Sequence, residues 1–254
     1  MYSEATLWHG GPVRGYERFA RFYDAAMDDP APRAARVLDF IDRYRPDATT
    51  LLELGCGTGS ILAHLTTVRS LTGLDQSPEM LDLARRKVPR ARLIEGDMSS
   101  FALGQRFDVI ICVFDSLNHL LTFDAWESTF AAVYDHLDEG GLFILDVNTV
   151  GELRRLGEEP PWVYEFDDNV LIMDVSLAED GLSLWDIRIF EHVGESQYLL
   201  HHEEIGELGV GLSRLRASLA TRFALLEEVS DVGGRATDDS VKAHFALRRL
   251  SSPH

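Results

Sequence analysis

Apolar positions follow two rhythms along the chain. Up to residue 46 they recur at helical spacing, first as Tyr16, Phe19, Ala20, Tyr23 and Met27, then as Val37, Leu38, Ile41 and Tyr44. The spacing predicts two helices across 12–46, divided at Asp29-Pro30 and closed by Pro46-Asp47. From Thr50 short apolar runs alternate with helical stretches. Leu51 to Leu54, Leu71 to Asp75, Leu93-Ile94, Val109 to Phe114 and Leu142 to Val147 read as five strands. The fourth run is nearly all apolar, as a strand buried on both faces must be. Ser77-Pro78-Glu79 opens a helix with an N-cap and a proline at its first position. A further helix is predicted over Phe123 to Leu137, and Gly140-Gly141 leads into the fifth strand. Alternating units of this length imply a doubly wound α/β fold with a mostly parallel sheet.

Past Asn148 the alternation stops. Val170 to Met173, Leu184 to Phe190 and Tyr198 to Ile205 are strand-like, with Asp180-Gly181 and Gly194-Glu195 as turns and no long helix between them. An antiparallel insertion after the fifth strand is expected. A helix near Gly211 to Ala220 and strands near Phe223 to Val229 and Lys242 to Leu250 then return to the main sheet. The expected organisation is a helical cap (1–46), a core (47–150), an insertion serving as substrate lid or dimer element (151–210), and a C-terminal helix with strands completing the sheet (211–254).

Charge narrows the partners. Among 254 residues, 24 Lys and Arg face 42 Asp and Glu, a formal net charge of -18. Phosphate backbones are held by basic side chains, so a nucleic-acid partner is not expected. Arg85-Arg86-Lys87 and Arg248-Arg249 are short and read as solvated faces. Two cysteines, Cys56 and Cys112, suggest no disulfide framework, and no signal peptide or long apolar span is apparent. A soluble cytoplasmic protein without membrane contact is expected.

The candidate chemistry begins at Glu53-Leu54-Gly55-Cys56-Gly57-Thr58-Gly59, which follows a strand and opens a helix. Glycine lets the chain turn sharply and lets a ligand approach where a Cβ would clash. In a doubly wound sheet this loop lies at the carboxyl end of the first strand, where ligands bind. Asp75 ends the second strand, in position to reach ribose hydroxyls. The spacing is G-x-G-x-G, whereas the dinucleotide fingerprint built around a pyrophosphate is G-x-G-x-x-G.

The loop resembles the first motif of class I S-adenosylmethionine methyltransferases, which implies a Rossmann-like core and that cofactor. The methionine ammonium is cationic, which suits Glu53 beside Gly55, Cys56, Gly57 and Gly59. By the same resemblance Asp75 and Gln76 meet the ribose. Asp97 and Met98, after Gly96, meet the adenine, Met80 lies nearby, and Phe114 to His119 line the sulfonium and the incoming acceptor. Tyr16, Phe19, Ala20, Tyr23 and Asp24, taken with Phe114 to Leu120, are similar to small-molecule methyltransferases, including N,N-dimethyltransferases of nucleotide-linked amino sugars. Those enzymes share the Tyr-Asp, a histidine at His119, an insertion after the fifth strand and a run like His201-His202-Glu203-Glu204. The C-terminal segment departs from their pattern.

The expected reaction moves a methyl group to an N or O atom of a small acceptor. It needs little beyond positioning and removal of a proton. His119, Tyr23 and Asp115 are the catalytic candidates, and Asp115 or Asp146 is a candidate to hold the acceptor's polar group. Tyr16 and Tyr23 are expected at the cofactor, and Phe19 in the core. No metal is expected, since neighbouring positions on a strand face opposite ways and the His201 to Glu204 run cannot converge as a whole. A non-catalytic cofactor-binding protein, a nicotinamide reductase and an RNA methyltransferase remain as rivals, and a homodimer is left open.

Overall fold

The computed structural model describes residue 16, residues 18–178 and residues 181–251. Five strands, Thr50–Leu54 (β1), Ser70–Asp75 (β2), Arg92–Glu95 (β3), Phe107–Cys112 (β4) and Leu137–Asn148 (β5), pair in parallel in the order β3-β2-β1-β4-β5. Lys242–Arg249 (β11) adds antiparallel to β5, and Phe223–Ser230 (β10) adds antiparallel to β11. Alternation along the strands divides the core. Leu51, Val109 and Ile111 pack with Ala31–Tyr44 (α2), Ser60–His64 (α3) and Pro78–Lys87 (α4) through Val37, Phe40, Ile61 and Leu81. Leu52, Ile110 and Cys112 face the other way, onto Phe123–His136 (α5) and Leu212–Leu219 (α7), through Trp126, Phe130 and Leu215. The α4 start follows the expected chemistry: the Ser77 hydroxyl accepts from Met80 N at 3.2 Å, with Pro78 in the first turn.

After β5 a short helix, Val150–Leu156 (α6), leads to a second, antiparallel sheet. Its strands, Trp162–Phe166 (β6), Asn169–Leu177 (β7), Leu182–Gly194 (β8) and Gln197–Leu208 (β9), form a meander in chain order. Ala20–Ala26 (α1) lies on this sheet, with Phe19 and Phe22 buried against Leu171, Ile187, Ile189 and Ile205. Among the described residues, no helix is long and apolar enough to cross a membrane.

Several local expectations need correction. The first helix does not reach Tyr16, whose φ of 80° lies in the left-handed region. The Glu203 carboxylate, from β9, accepts the backbone N–H of Tyr16 at 3.0 Å and of Phe19 at 3.1 Å, and also that of Arg18. It takes the place of an N-cap and fixes where α1 begins. β4 stops at Cys112 rather than Phe114, because Phe114 and Asp115 adopt φ of 65° and 52°. β5 begins at Leu137, five residues before Leu142, with an irregularity opposite Phe107/Val109. β6 and α6 were not expected. Asp180, one half of the expected turn, lies outside the described residues.

Candidate active site

At the end of β1 the chain turns through the glycine loop. Gly55 has φ of 67°, and a Cβ there would lie 2.8 Å from the Ser116 side chain. Gly57 has φ of 51° and, its chain neighbours aside, no protein atom within 4 Å of where a Cβ would stand, which leaves open space over the loop. Asp75, at the end of β2, holds the turn from below: its Oδ2 accepts from Gly57 N at 2.8 Å and its Oδ1 from Ser77 N at 2.9 Å. Burial raises the Asp75 carboxyl, against the lowering effect of those two bonds. Glu53 is 2% exposed, and its Oε2 has no hydrogen-bond partner among the described residues. Burial first, and the Asp75 charge second, push its carboxyl well above the usual carboxylate range. A carboxylate oxygen buried without a partner carries a cost that a cation beside it would offset.

A cavity of about 360 Å³ opens over this loop, lined by Glu53, Gly55, Cys56 and Gly57 below and by Tyr23 and Asp24 of α1 above. α1 is tied down on this side too. Asp24 Oδ1 accepts from Thr58 Oγ1 at 2.6 Å and Ser60 Oγ at 3.0 Å, and Asp24 Oδ2 pairs with Lys87 Nζ at 2.5 Å. Burial alone would raise the Asp24 carboxyl, but bonds from Lys87 and Thr58 outweigh it and hold it low. Lys87 thus borders the cavity while staying exposed, as Arg85 and Arg86 are.

A second cavity, about 310 Å³, adjoins the first and shares Tyr23, Met27, Asp28 and Phe114 with it. Its inner wall comes from the turn after β4. Both positive-φ residues there are held by Asp146, which accepts from Phe114 N at 3.0 Å and Asp115 N at 2.7 Å. Asp146 therefore shapes the turn and, contrary to expectation, lines neither cavity. A 3-10 turn, Ser116–His119, follows. His119 Nδ1 bonds the Gly206 carbonyl at 3.3 Å, which places its proton on Nδ1, and Nε2 then accepts from Tyr16 Oη at 3.1 Å. Burial lowers the His119 pKa, partly offset by Asp115. Burial raises the Tyr23 and Tyr16 hydroxyls far above their ordinary value, so both are neutral donors.

Two further groups complete this cavity. Lys242, on β11, puts its ammonium on Asp115 and, at 2.7 Å, on Asn148 Oδ1. Glu207, on β9 and 3% exposed, accepts from Asn148 Nδ2 at 2.9 Å. Burial opposes charge on Asp115, but Lys242 overrides it and holds that carboxyl low; Glu207, buried near the Asp115 charge, is pushed up to about 8. The donor atoms of Asp115, His119 and Glu207 all lie within 4.8 Å of one another. The outer wall is aromatic, with Trp162 and Trp185 rings 6.0 Å apart and a buried Trp185 Nε1 without a hydrogen-bond partner among the described residues.

The structure thus gathers Tyr23, Glu53, Gly55, Cys56, Gly57 and Phe114 around the first cavity and Tyr16, Tyr23, Phe114, Asp115 and His119 around the second. Phe19, expected in the core, is buried but also borders the second cavity. Gly59, Asp75, Gln76, Met80, Asp97 and Met98 line neither. Asp75 touches the loop as described, and Gly59 stands at the start of α3. Gln76 and Asp97 are exposed, Asp97 accepting from Ser99 N at 2.7 Å, while Met80 is buried in α4. Met98 Cε would lie 3.3 Å from a Cβ on Gly55. Glu207 and Lys242 were not singled out, and Asp24 and Glu203 were named only within the Tyr-Asp pair and the His201 to Glu204 run, not as the anchors of α1 that they are. For Glu207 a signal existed: it shares a strand face with buried Ile205, where an acidic residue is out of pattern. The His201 to Glu204 run divides as alternation requires. His201 meets Glu191 at 2.8 Å, Glu203 caps α1, and His202 meets Asp186 at 3.1 Å on the opposite face, within a cluster of Asp186, His202 and Glu204.

Residues 51–141 match the family model described as a methyltransferase domain. The chain is 30% identical over 193 residues to dTDP-3-amino-3,4,6-trideoxy-alpha-D-glucopyranose N,N-dimethyltransferase of Streptomyces venezuelae, covering 75% of this chain and 76% of that one. It is 38% identical over 125 residues to dTDP-3-amino-3,6-dideoxy-alpha-D-glucopyranose N,N-dimethyltransferase of Streptomyces fradiae, about half of either chain (47% and 48%). Among solved structures, S-adenosylmethionine-bound CalS10, an amino pentose methyltransferase from Micromonospora echinaspora, superimposes with a TM-score of 0.76 at 25% identity, covering 92% of this chain and 98% of that one. A methyltransferase from Clostridium acetobutylicum shares the fold with a TM-score of 0.81 at 23% identity, covering 92% and 96%.

Proposed function

Since this chain belongs to the S-adenosylmethionine-dependent methyltransferases, related to the sugar N,N-dimethyltransferases, we propose that it methylates the amino group of a small, sugar-like acceptor. Its cofactor supplies an electrophilic methyl group on a sulfonium. The first cavity fits that molecule. The unpartnered Glu53 oxygen suits the methionine ammonium, and the open space over Gly57 admits a ligand against the backbone. Asp75 is assigned to the ribose through the lone pairs its two backbone bonds leave free, with Gln76, Met80, Asp97 and Met98 toward the adenosine. Tyr23 and Phe114, common to both cavities, stand where the methyl group passes.

One observation carries the choice of an amine. Asp115, His119 and Glu207 converge within 4.8 Å in a cavity with aromatic walls, surroundings that favour an ammonium over a phenol or a carbon acceptor. The unpartnered Trp185 N–H adds a donor for an acceptor oxygen such as a sugar hydroxyl. Holding the amine nitrogen about 3 Å from the methyl carbon supplies much of the acceleration. The test is incubation with S-adenosylmethionine and a panel of nucleotide-linked amino sugars, matched hydroxy sugars and phenols, read by mass spectrometry. Mono- and dimethylated amines are the expected products. Methylation confined to phenols or hydroxyl groups would overturn the assignment.

A further inference from the structure

Of the groups lining the acceptor cavity that can take a proton, Glu152 is paired with Arg155 and Asp28 is exposed beside Arg33; among Asp115, His119 and Glu207 the geometry leaves one to do it. We propose that the Glu207 carboxylate is the proton acceptor for the bound ammonium, a role resting on the amine reading above. Asp115 is committed elsewhere: the Lys242 ammonium sits on it, and a carboxylate so paired is a weak base. His119 has both ring nitrogens engaged, Nδ1 with the Gly206 carbonyl and Nε2 with the Tyr16 hydroxyl. It orients the Tyr16 side chain and has no free lone pair toward the acceptor. Glu207 is aimed by Asn148, whose Nδ2 donates to it while Oδ1 takes the Lys242 ammonium.

The groups facing Glu207 explain its basicity. From the turn after β4 come Asp115 and His119, from β11 Lys242, from α6 Glu152, from β5 Asn148 and from the N-terminal segment Tyr16. Burial and the Asp115 charge raise its pKa to about 8, with the Asn148 bond and then the Lys242 charge opposing. That lies near the range in which a general base works at neutral pH. In the step, one N–H bond of the ammonium breaks and an O–H bond forms on Glu207. The nitrogen keeps the electron pair, attacks the methyl carbon, and the C–S electrons leave with sulfur as a neutral thioether. A methylated product that is still an ammonium can lose its next proton the same way, once Glu207 has released the first to solvent.

The experiment compares Glu207→Gln with the wild-type full chain, using an amino sugar that the wild type methylates. The glutamine can still accept from Asn148 but cannot take the proton. At neutral pH kcat is expected to fall about 10²–10⁴-fold, then to climb as pH rises and the amine arrives already deprotonated. Affinity for S-adenosylhomocysteine by calorimetry should be unchanged, because Glu207 lies outside the cofactor cavity. Should the glutamine variant not fold, Glu207→Asp provides the same comparison, with a lowered kcat and the wild-type pH limb retained. Unchanged kcat across pH, or a change in KM alone, would overturn the proposal. A wild type that methylates no amine would instead remove the amine reading itself.

Discussion

Replacing Glu203 by alanine should loosen α1 without loosening the core. The carboxylate satisfies three backbone N–H groups, those of Tyr16, Arg18 and Phe19, at the start of a helix of only seven residues. A bond to a charged acceptor contributes about 1.5–3 kcal/mol when buried, but Glu203 is half-buried and solvent screens it. Removing a good N-cap costs about 0.5–2 kcal/mol, and the shared carboxylate belongs in the upper part of that range. A loss of about 1–2 kcal/mol makes opening of α1 about 5- to 30-fold more frequent. Amide hydrogen exchange followed by mass spectrometry reads this directly, since local opening sets the exchange rate. Amides of 20–26 should exchange faster by that factor, while those of β1 and β4 stay as they were. Cofactor affinity should weaken only as far as the closed population falls. Equal acceleration across the whole chain would mean that Glu203 supports global stability and not the α1 latch. No acceleration at all would remove the latch.

Two further perturbations test the loop and the sheet. Gly57→Val forces a branched side chain onto φ of 51°, at about 1–2 kcal/mol of backbone strain, and fills space that no protein atom occupies. Folding by circular dichroism should survive while calorimetric binding of S-adenosylhomocysteine disappears; retained binding would contradict the loop assignment. Asp108 accepts from Arg45, Thr49 and Thr50, and although burial opposes its charge those bonds hold its carboxyl far below the ordinary range. Its stabilisation is therefore present above the unfolded pKa of about 3.9 and lost as pH falls below that. The urea midpoint of the wild type should drop more steeply on acidification than that of Asp108→Asn, and parallel curves would exclude this contribution.

What the sequence made legible was what neighbours along the chain decide. The glycine loop, the Ser77 cap and the alternation of Leu51 and Leu52 between two cores are local facts, and the parallel sheet follows from them. The failures share a different cause. Helical spacing includes Tyr16, yet a carboxylate on β9 stops the helix short of it. The apolar run extends through Phe114, yet Asp146 on β5 bends the chain into the left-handed region there. β6 follows Pro160-Pro161, and its Val163 and Tyr164 are exposed at the sheet's edge, which blurs the strand pattern. The acceptor side was legible only in part. Asp115 and His119 sit beside a recognisable strand end, whereas Lys242 becomes chemistry only once β11 lies against β5.

That last pairing has a consequence for how the enzyme comes into being. Every residue lining the first cavity lies between Tyr23 and Ser116, whereas the second draws on residues from Tyr16 to Lys242. Chains emerge from the ribosome N-terminus first, so the residues of the first cavity are all synthesised before the second cavity's set is complete. During the interval β5 has only β4 beside it, and its other side is an open strand edge of the kind that recruits foreign chains. Arrival of β11 closes that edge and delivers the Lys242 ammonium to Asp115 in the same event. Closing of that edge and completion of the second cavity are therefore one event.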